Sequence, residues 1–398
     1  MKKILFISHS MPPYLYPQSI QIGRFLSEIK DKYDVYVLCA EENTSADPTL
    51  YPNIFDGIDQ NKILRVPYRY NPYWSYLKSR VLPLLCKCPD MYVAWGKRAY
   101  KEVLSSFGDI KFDAVLTFSF PFSLNLLGLR LKDYYECKWI AHQSDPWADN
   151  IFMHYGPMTR PINQGLERKA YGAADRLIFT NEEAAIFFQK KYVSHKDKIS
   201  FIDHSFDPAM YPVAEPVSGA QKIVRYIGGF YGDRTARPLL LSLSRLTPEV
   251  QKKIRFEIVG ANLKTRLLVQ KSGLSPNLIK VVGRVNYAES LKLMAESDAL
   301  LVIDAPLRAN NIFFPSKLAD YIGSKRPIIG ISSPGPTQRI LKSLGHECFD
   351  HNQVNELLSV FERIADGAYQ VGGASSESLA PYLKTNNGRK LSDIIDHV

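Results

Sequence analysis

Cysteine is scarce in this chain. Its five residues (Cys39, Cys86, Cys88, Cys137 and Cys348) form an odd set without a CxxC pair. A disulfide scaffold or a zinc ribbon would lack its usual spacing, so a reducing compartment is the simpler reading. Long hydrophobic runs are also missing. Met1-Lys2-Lys3-Ile4-Leu5-Phe6-Ile7 starts like a signal peptide, but its apolar run stops at Ser8-His9-Ser10 and reads better as a first buried strand. The uncharged stretch Ala114 to Leu129 contains Pro121 and Asn125, and it is shorter than the roughly 20 apolar residues a spanning helix needs. A soluble or peripheral protein is expected.

Several signatures of chemistry are absent as well. No GxGxxG follows an expected strand, and there is no GxxxxGK[ST], Asp-x-Asp triplet or GxSxG elbow. A dinucleotide cofactor, a P-loop nucleotide, a carboxylate-clamped metal and a hydrolase elbow are therefore without their usual marks. No cofactor or metal is expected, and any phosphate is left to Arg, Lys and helix N-termini. Repeats and low-complexity tracts are missing too.

What remains is 398 residues, 45% hydrophobic and 23% charged, with a net charge of +10. That composition is globular, long enough for two or three domains, and inclined toward anionic partners. Short β-branched runs alternate with helical patterns, as in a parallel sheet with crossover helices. Strands are expected at Ile4–Ile7, Val35–Leu38, Ala114–Thr117, Trp139–Ala141 and Leu177–Phe179, and Thr180-Asn181-Glu182-Glu183 fits a capping box. Asp207 to Lys222 holds Pro208, Pro212 and Pro216 without an apolar period, which reads as a linker. The pattern then restarts at Ile223–Ile227, Phe256–Val259, Ile279–Val282, Leu300–Ile303 and Pro327–Ile331. The fold class is thus α/β, with two Rossmann-like parallel-sheet domains facing a cleft: residues 1–206, a linker at 207–222, residues 223–370, and a helical tail at 371–398 that packs back on the first domain. Ligands of such sheets lie at the carboxyl ends of the strands.

Three segments carry candidate chemistry. In Asn310 to Gly330, Ser316 is a candidate N-cap of a short helix ending near Gly323, with Lys317 in its first turn. Lys317 either meets an anion or faces solvent, and Asp320, one turn on, faces the cleft or water. In Tyr226 to Pro238, Gly228, Gly229 and Gly232 permit close backbone approach, and Arg234 and Arg237 suit a diphosphate unless they are plain surface arginines. Trp139 to Asn150 places His142, Asp145 and Trp147 just past a strand, where His142 is either structural or directed at the cleft. Charge concentrates between Arg65 and Lys101, with eight basic residues against Asp90 alone, interleaved with Tyr and Trp. That mixture suits an anionic membrane surface. Nucleic acid is disfavoured because no recognition module accompanies it.

With these residues in view, the chain resembles GT-B glycosyltransferases, and among them glycosyltransferase family 4. The likeness is carried by Phe112-Asp113-Ala114-Val115 through Phe122, Trp139 through Trp147, Ala173-Ala174-Asp175-Arg176-Leu177-Ile178 with Thr180 and Glu182, Phe256 to Gly260, Val282-Gly283-Arg284-Val285, and Pro315-Ser316-Lys317-Leu318 through Pro327. The resemblance implies retaining transfer of a sugar from a nucleotide-diphosphate donor to a glycan acceptor, lipid-linked, in surface polysaccharide synthesis at the cytoplasmic membrane face. It implies that Arg234 binds the diphosphate, that Asp320 holds the ribose hydroxyls, and that Gly283, Arg284 and Val285 border the base. His142 or Asp145 would meet the reacting sugar, with Gln18, Ser19 and Trp147 on the acceptor side. The chain departs from the family's E-x7-E motif, with Ile312 for its first glutamate and Asp320 for its second, and Pro17-Gln18-Ser19 replaces a Gly-Gly pair. A nucleotide-sugar epimerase or hydrolase and a non-catalytic nucleotide- or glycan-binding subunit are the competing readings.

Overall fold

The computed structural model describes residues 1–42, 46–69, 73, 83–213, 219, 221–307 and 311–398. They form two compact units, one comprising Met1–Asp203 with Lys384–Val398 and the other His204–Leu383. The expected linker therefore divides differently: the chain passes between units at Asp203, and 204–213 belongs with the second unit. Residues 214–218 and 220 of that stretch lie outside the described residues.

The first unit is built on β1 (Lys3–Ser8), β2 (Asp34–Glu42), β3 (Ile63–Tyr68), β4 (Ala114–Ser119), β5 (Lys138–Gln143), β6 (Arg176–Phe179) and β7 (Ile199–Phe201). They pair in parallel in the order β3-β2-β1-β4-β5-β6-β7. Ile4 to Ile7 and Val115 to Leu116 are sealed from solvent, the double-sided burial that gives central parallel strands their unbroken apolar runs.

The second unit holds β8 (Lys222–Ile227), β9 (Ile254–Val259), β10 (Ile279–Val282), β11 (Ala299–Ile303), β12 (Ile328–Ile331) and β13 (Glu347–Phe349), parallel in the order β10-β9-β8-β11-β12-β13. Both orders reverse direction once, between β1 and β4 and between β8 and β11. At such a reversal neighbouring crossovers go to opposite faces, which opens a crevice beyond the strand ends.

All ten expected strands are present. The three not foreseen, β3, β7 and β13, lie at sheet edges; they are short or carry polar residues such as Arg65, so they lack the apolar run that marks a central strand. The capping-box reading also shifts by one residue. Asn181, not Thr180, caps helix Glu182–Lys191, its side chain accepting from the Ala184 amide at 2.9 Å.

The last helix, Lys384–Asp396, is part of the first unit. Leu391 and Ile395 enter its core, Lys2 Nζ donates to the Ile395 carbonyl at 2.8 Å, and the Tyr33 hydroxyl donates to the Ser392 carbonyl at 3.2 Å. Contact with helix Pro17–Ile29 is close because of Gly388, where an added Cβ would fall 2.3 Å from Cβ of Glu28. Replacing Gly388 by Ala must push these helices apart, with an expected loss of about 1–3 kcal/mol. Chemical unfolding monitored on the first unit checks this; an unchanged midpoint would refute the close contact.

Candidate functional site

β8 ends at Ile227 and the chain turns at Gly228, whose φ of +132° lies in the region that disfavours side chains. Its amide donates to the Val259 carbonyl at 2.9 Å, which ties the turn to the end of β9. A Cβ on Gly228 would lie 3.1 Å from Lys317 Nζ, so the bare backbone here leaves room for that amine. The following loop returns through a Tyr231–Arg234 turn, with the Arg234 amide donating to the Tyr231 carbonyl at 3.2 Å.

Arg234 is buried, and its guanidinium pairs with Asp304 at 3.3 Å and lies 4.9 Å from the centre of the Tyr231 ring. Burial works against this charge, yet Tyr231, Asp304 and Tyr226 outweigh it and leave the group more firmly protonated than usual. Asp304 is the first residue after β11 and is itself buried. Its other carboxylate oxygen accepts from Ser332 at 3.0 Å and from Thr337 at 2.5 Å. These hydroxyls hold the carboxylate, which in turn holds the arginine. Arg234 Nε has no hydrogen-bond partner among the described residues.

Lys317 begins helix Lys317–Gly323. Ser316 stands at the N-cap position as expected, but its side chain makes no capping bond. The helix is anchored instead by Tyr321, whose hydroxyl accepts from the Ile227 amide at 2.7 Å and donates to the Ile227 carbonyl at 3.2 Å. That pair of hydrogen bonds to the end of β8 sets Lys317 above the Tyr226 ring, with Nζ 3.7 Å from its centre. The stem of Lys317 is half-buried, but Nζ is sealed and without a hydrogen-bond partner among the described residues. Burial first, then Arg234, pushes its pKa well below the lysine range, with Asp304 opposing. Two basic groups thus lie at the β8/β11 reversal with one carboxylate that pairs with Arg234 alone, and the arrangement suits an anion with more than one charge.

The other expected donor-side residues are spread around this pair. Gly283 accepts from the Gly260 amide at 3.0 Å, which joins the ends of β9 and β10; Gly283 and Arg284 are exposed and Val285 is half-buried. Gly229 and Arg237 are exposed, the latter opening helix Arg237–Leu243. Asp320 does not face open solvent: it is buried and accepts from the hydroxyls of Tyr211 at 3.2 Å and Tyr287 at 3.1 Å. Asp304 was missed, although an acid directly after the buried run Leu300–Ile303 was the available signal. Tyr226 and Tyr321 carried no signal, because a strand tyrosine and a helix tyrosine read as core.

In the first unit, His142 lies inside β5 rather than beyond it. Its ring is buried against Phe25 (5.4 Å) and Phe118 (5.0 Å), and burial lowers its pKa to about 3. Asp145 is half-buried past the strand end. Gln18 donates to the Phe118 carbonyl at 3.0 Å and to Ser144 Oγ at 3.3 Å, and Ser19 is buried. Trp147 is a core residue: its ring stacks on Phe122 at 5.7 Å and its Nε1 donates to Asn163 at 2.8 Å, so the ring is enclosed rather than presented at the surface. Of the basic, aromatic segment 65–101, Tyr70, Trp74, Tyr76, Lys78 and Arg80 lie outside the described residues. Trp95 is turned inward, with Nε1 donating to the Val66 carbonyl at 3.0 Å, while Lys97, Arg98 and Lys101 are exposed. No helix among the described residues is long and apolar enough to cross a membrane.

No protein-family model matches the chain, and no curated protein matches its sequence. Solved structures do. The crystal structure of Anabaena HepE in complex with UDP aligns over 100% of both chains at 13% identity and a TM-score of 0.65. Sucrose-phosphate synthase from Thermosynechococcus elongatus aligns over 99% of this chain and 95% of its own at 14% identity and a TM-score of 0.65. WaaG, a glycosyltransferase involved in lipopolysaccharide biosynthesis, covers 98% and 99% at 14% identity and 0.63. The pair of parallel-sheet units is thus the GT-B fold of these transferases.

Two outcomes test the geometry. Tyr321→Phe leaves the buried Ile227 amide without its acceptor and should cost about 1–3 kcal/mol of second-unit stability; an unchanged urea midpoint would show that the bond contributes nothing. Buried His142 stays neutral while the unfolded chain takes up its proton below about pH 6.5, so stability present above that pH is lost as pH falls toward the folded value of about 3. His142→Phe should flatten the acid limb of the stability profile, and an unaltered limb would place the linkage on other groups.

Proposed function

We propose that the chain is a glycosyltransferase of the family 4 type, moving a sugar from a nucleotide-diphosphate sugar to a hydroxyl of a glycan acceptor. The observation that carries this reading is the Arg234–Lys317 pair at the β8/β11 reversal, on a fold shared with HepE, which has been crystallised with UDP and with UDP-glucose. UDP is accordingly the first nucleotide to test.

When the bond between the anomeric carbon and the diphosphate oxygen breaks, its electron pair stays on oxygen and positive charge develops at carbon. Arg234 and Lys317 favour this step by neutralising the departing diphosphate, a task that basic side chains perform without a metal. The acceptor hydroxyl then bonds to the anomeric carbon, and its proton passes to the departing diphosphate oxygen. Gly228 supports the reading by letting the backbone approach the phosphates, and Gly283, Arg284 and Val285 are the residues we assign to the base. Asp320 keeps its assignment to the ribose through a carboxylate oriented by Tyr211 and Tyr287. In the first unit we assign the sugar contact to Asp145, which is half-buried beyond β5, over the sealed His142.

Retention of configuration, a lipid-linked acceptor and a role in surface polysaccharide synthesis follow the family resemblance. Exposed Lys97, Arg98 and Lys101 support attachment to an anionic membrane at its cytoplasmic face.

Thermal-shift titration with UDP, GDP, ADP and CDP, with and without EDTA, tests the site. UDP should stabilise the chain equally in both conditions. Arg234→Ala should weaken nucleoside-diphosphate binding about 10–100-fold while sparing the nucleoside; equal losses for the two ligands would remove Arg234 from the phosphate. Turnover of UDP-glucose without any acceptor would favour a hydrolase.

A further inference from the structure

Lys317 has an environment unlike that of an ordinary phosphate-binding lysine. Its Nζ is sealed from solvent and has no hydrogen-bond partner among the described residues. The end of β8 presents the Tyr226 ring at 3.7 Å and the bare backbone of Gly228, where even a Cβ would come within 3.1 Å. The loop after β8 presents Arg234, a permanent cation. The end of β11 presents Asp304, but that carboxylate is already divided among Arg234, Ser332 and Thr337. On the lysine's own helix, Asp320 is engaged by Tyr211 and Tyr287, and Tyr321 is bonded to Ile227. Tyr226 remains a neutral phenol, since burial raises its pKa well above the ordinary value. No carboxylate or carbonyl among the described groups meets the amine, and of the two charged groups that act on it Arg234, of the same sign, outweighs Asp304. A charged ammonium held this way is costly, and the neutral amine is the form that such surroundings favour.

A diphosphate reverses this balance by bringing at least two negative charges to a pocket in which Arg234 is already paired with Asp304. Resting on the functional reading above, we propose that Lys317 is uncharged in the free protein and takes up one proton from solvent when a diphosphate occupies the site. Donor binding is then coupled to protonation, and the second positive charge exists only where there is a leaving group to stabilise. The burial-driven lowering at Lys317 agrees with this geometry. Affinity should fall as pH rises between the ionisation of the free lysine and that of the diphosphate-bound one, by up to about tenfold per pH unit.

The test is calorimetric titration of the full chain with UDP-glucose, a diphosphate diester without a phosphate proton that titrates near neutrality, at about pH 7.5 in two buffers of different ionisation enthalpy. The buffer dependence of the heat should report uptake of about one proton in the wild type. Lys317→Met should bind more weakly and without proton uptake. Lys317→Arg keeps a permanent charge and should bind with an affinity that does not change with pH. Binding by the wild type with no proton uptake, or uptake that persists in Lys317→Met, overturns the inference and leaves the donor site standing. Absence of binding to UDP-glucose and to every nucleoside diphosphate overturns the functional reading, and the inference with it.

Discussion

One buried carboxylate, paired with an arginine beside a lysine that has no countercharge of its own among the described residues, is the constraint on which the second unit's site is organised. Asp304 is held by Ser332 and Thr337 and pairs with Arg234, and among the described residues Lys317 Nζ meets the face of Tyr226 without a hydrogen-bond partner. A pocket with this imbalance favours a multiply charged anion over a neutral ligand, because neutral groups cannot supply the missing countercharge. It also explains the chemistry around it: the glycine at 228 leaves space, and the tyrosine at 321 fixes the lysine-bearing helix to the strand end.

The position of this cluster follows from sheet topology. Reversal of strand order between β8 and β11 opens a crevice at their carboxyl ends, and Gly228 and Asp304 are the first residues beyond those ends. The first unit reverses in the same way between β1 and β4, where Gln18 reaches the Phe118 carbonyl and Ser144. Its buried aromatic and polar groups, among them His142 and Trp147, shape the loops that leave the strand ends.

Much of the fold was legible because central parallel strands bury both faces and so appear as unbroken apolar runs. Edge strands such as β3, with Arg65 and Pro67, break that rule and were not seen. Arg234 and Lys317 were visible as basic residues in glycine-rich or capped contexts after strands. Asp304 could have been noticed by the same logic, since it follows Leu300–Ile303 directly. His142 and Trp147 illustrate the opposite error: polar or amphipathic residues near a strand end look available, and only packing showed Phe25, Phe118 and Phe122 against their rings.

Sequence alone therefore determined the α/β class, the two parallel-sheet halves and the segments that leave their strands, because burial period and turn residues are local properties of the chain. Tertiary structure alone decided which side chains meet. Arg234 and Asp304 lie far apart in sequence, as do Ile227 and Tyr321, and no periodicity joins them. Whether Lys317 faces water or a sealed ring depends on strands and helices converging from distant parts of the chain.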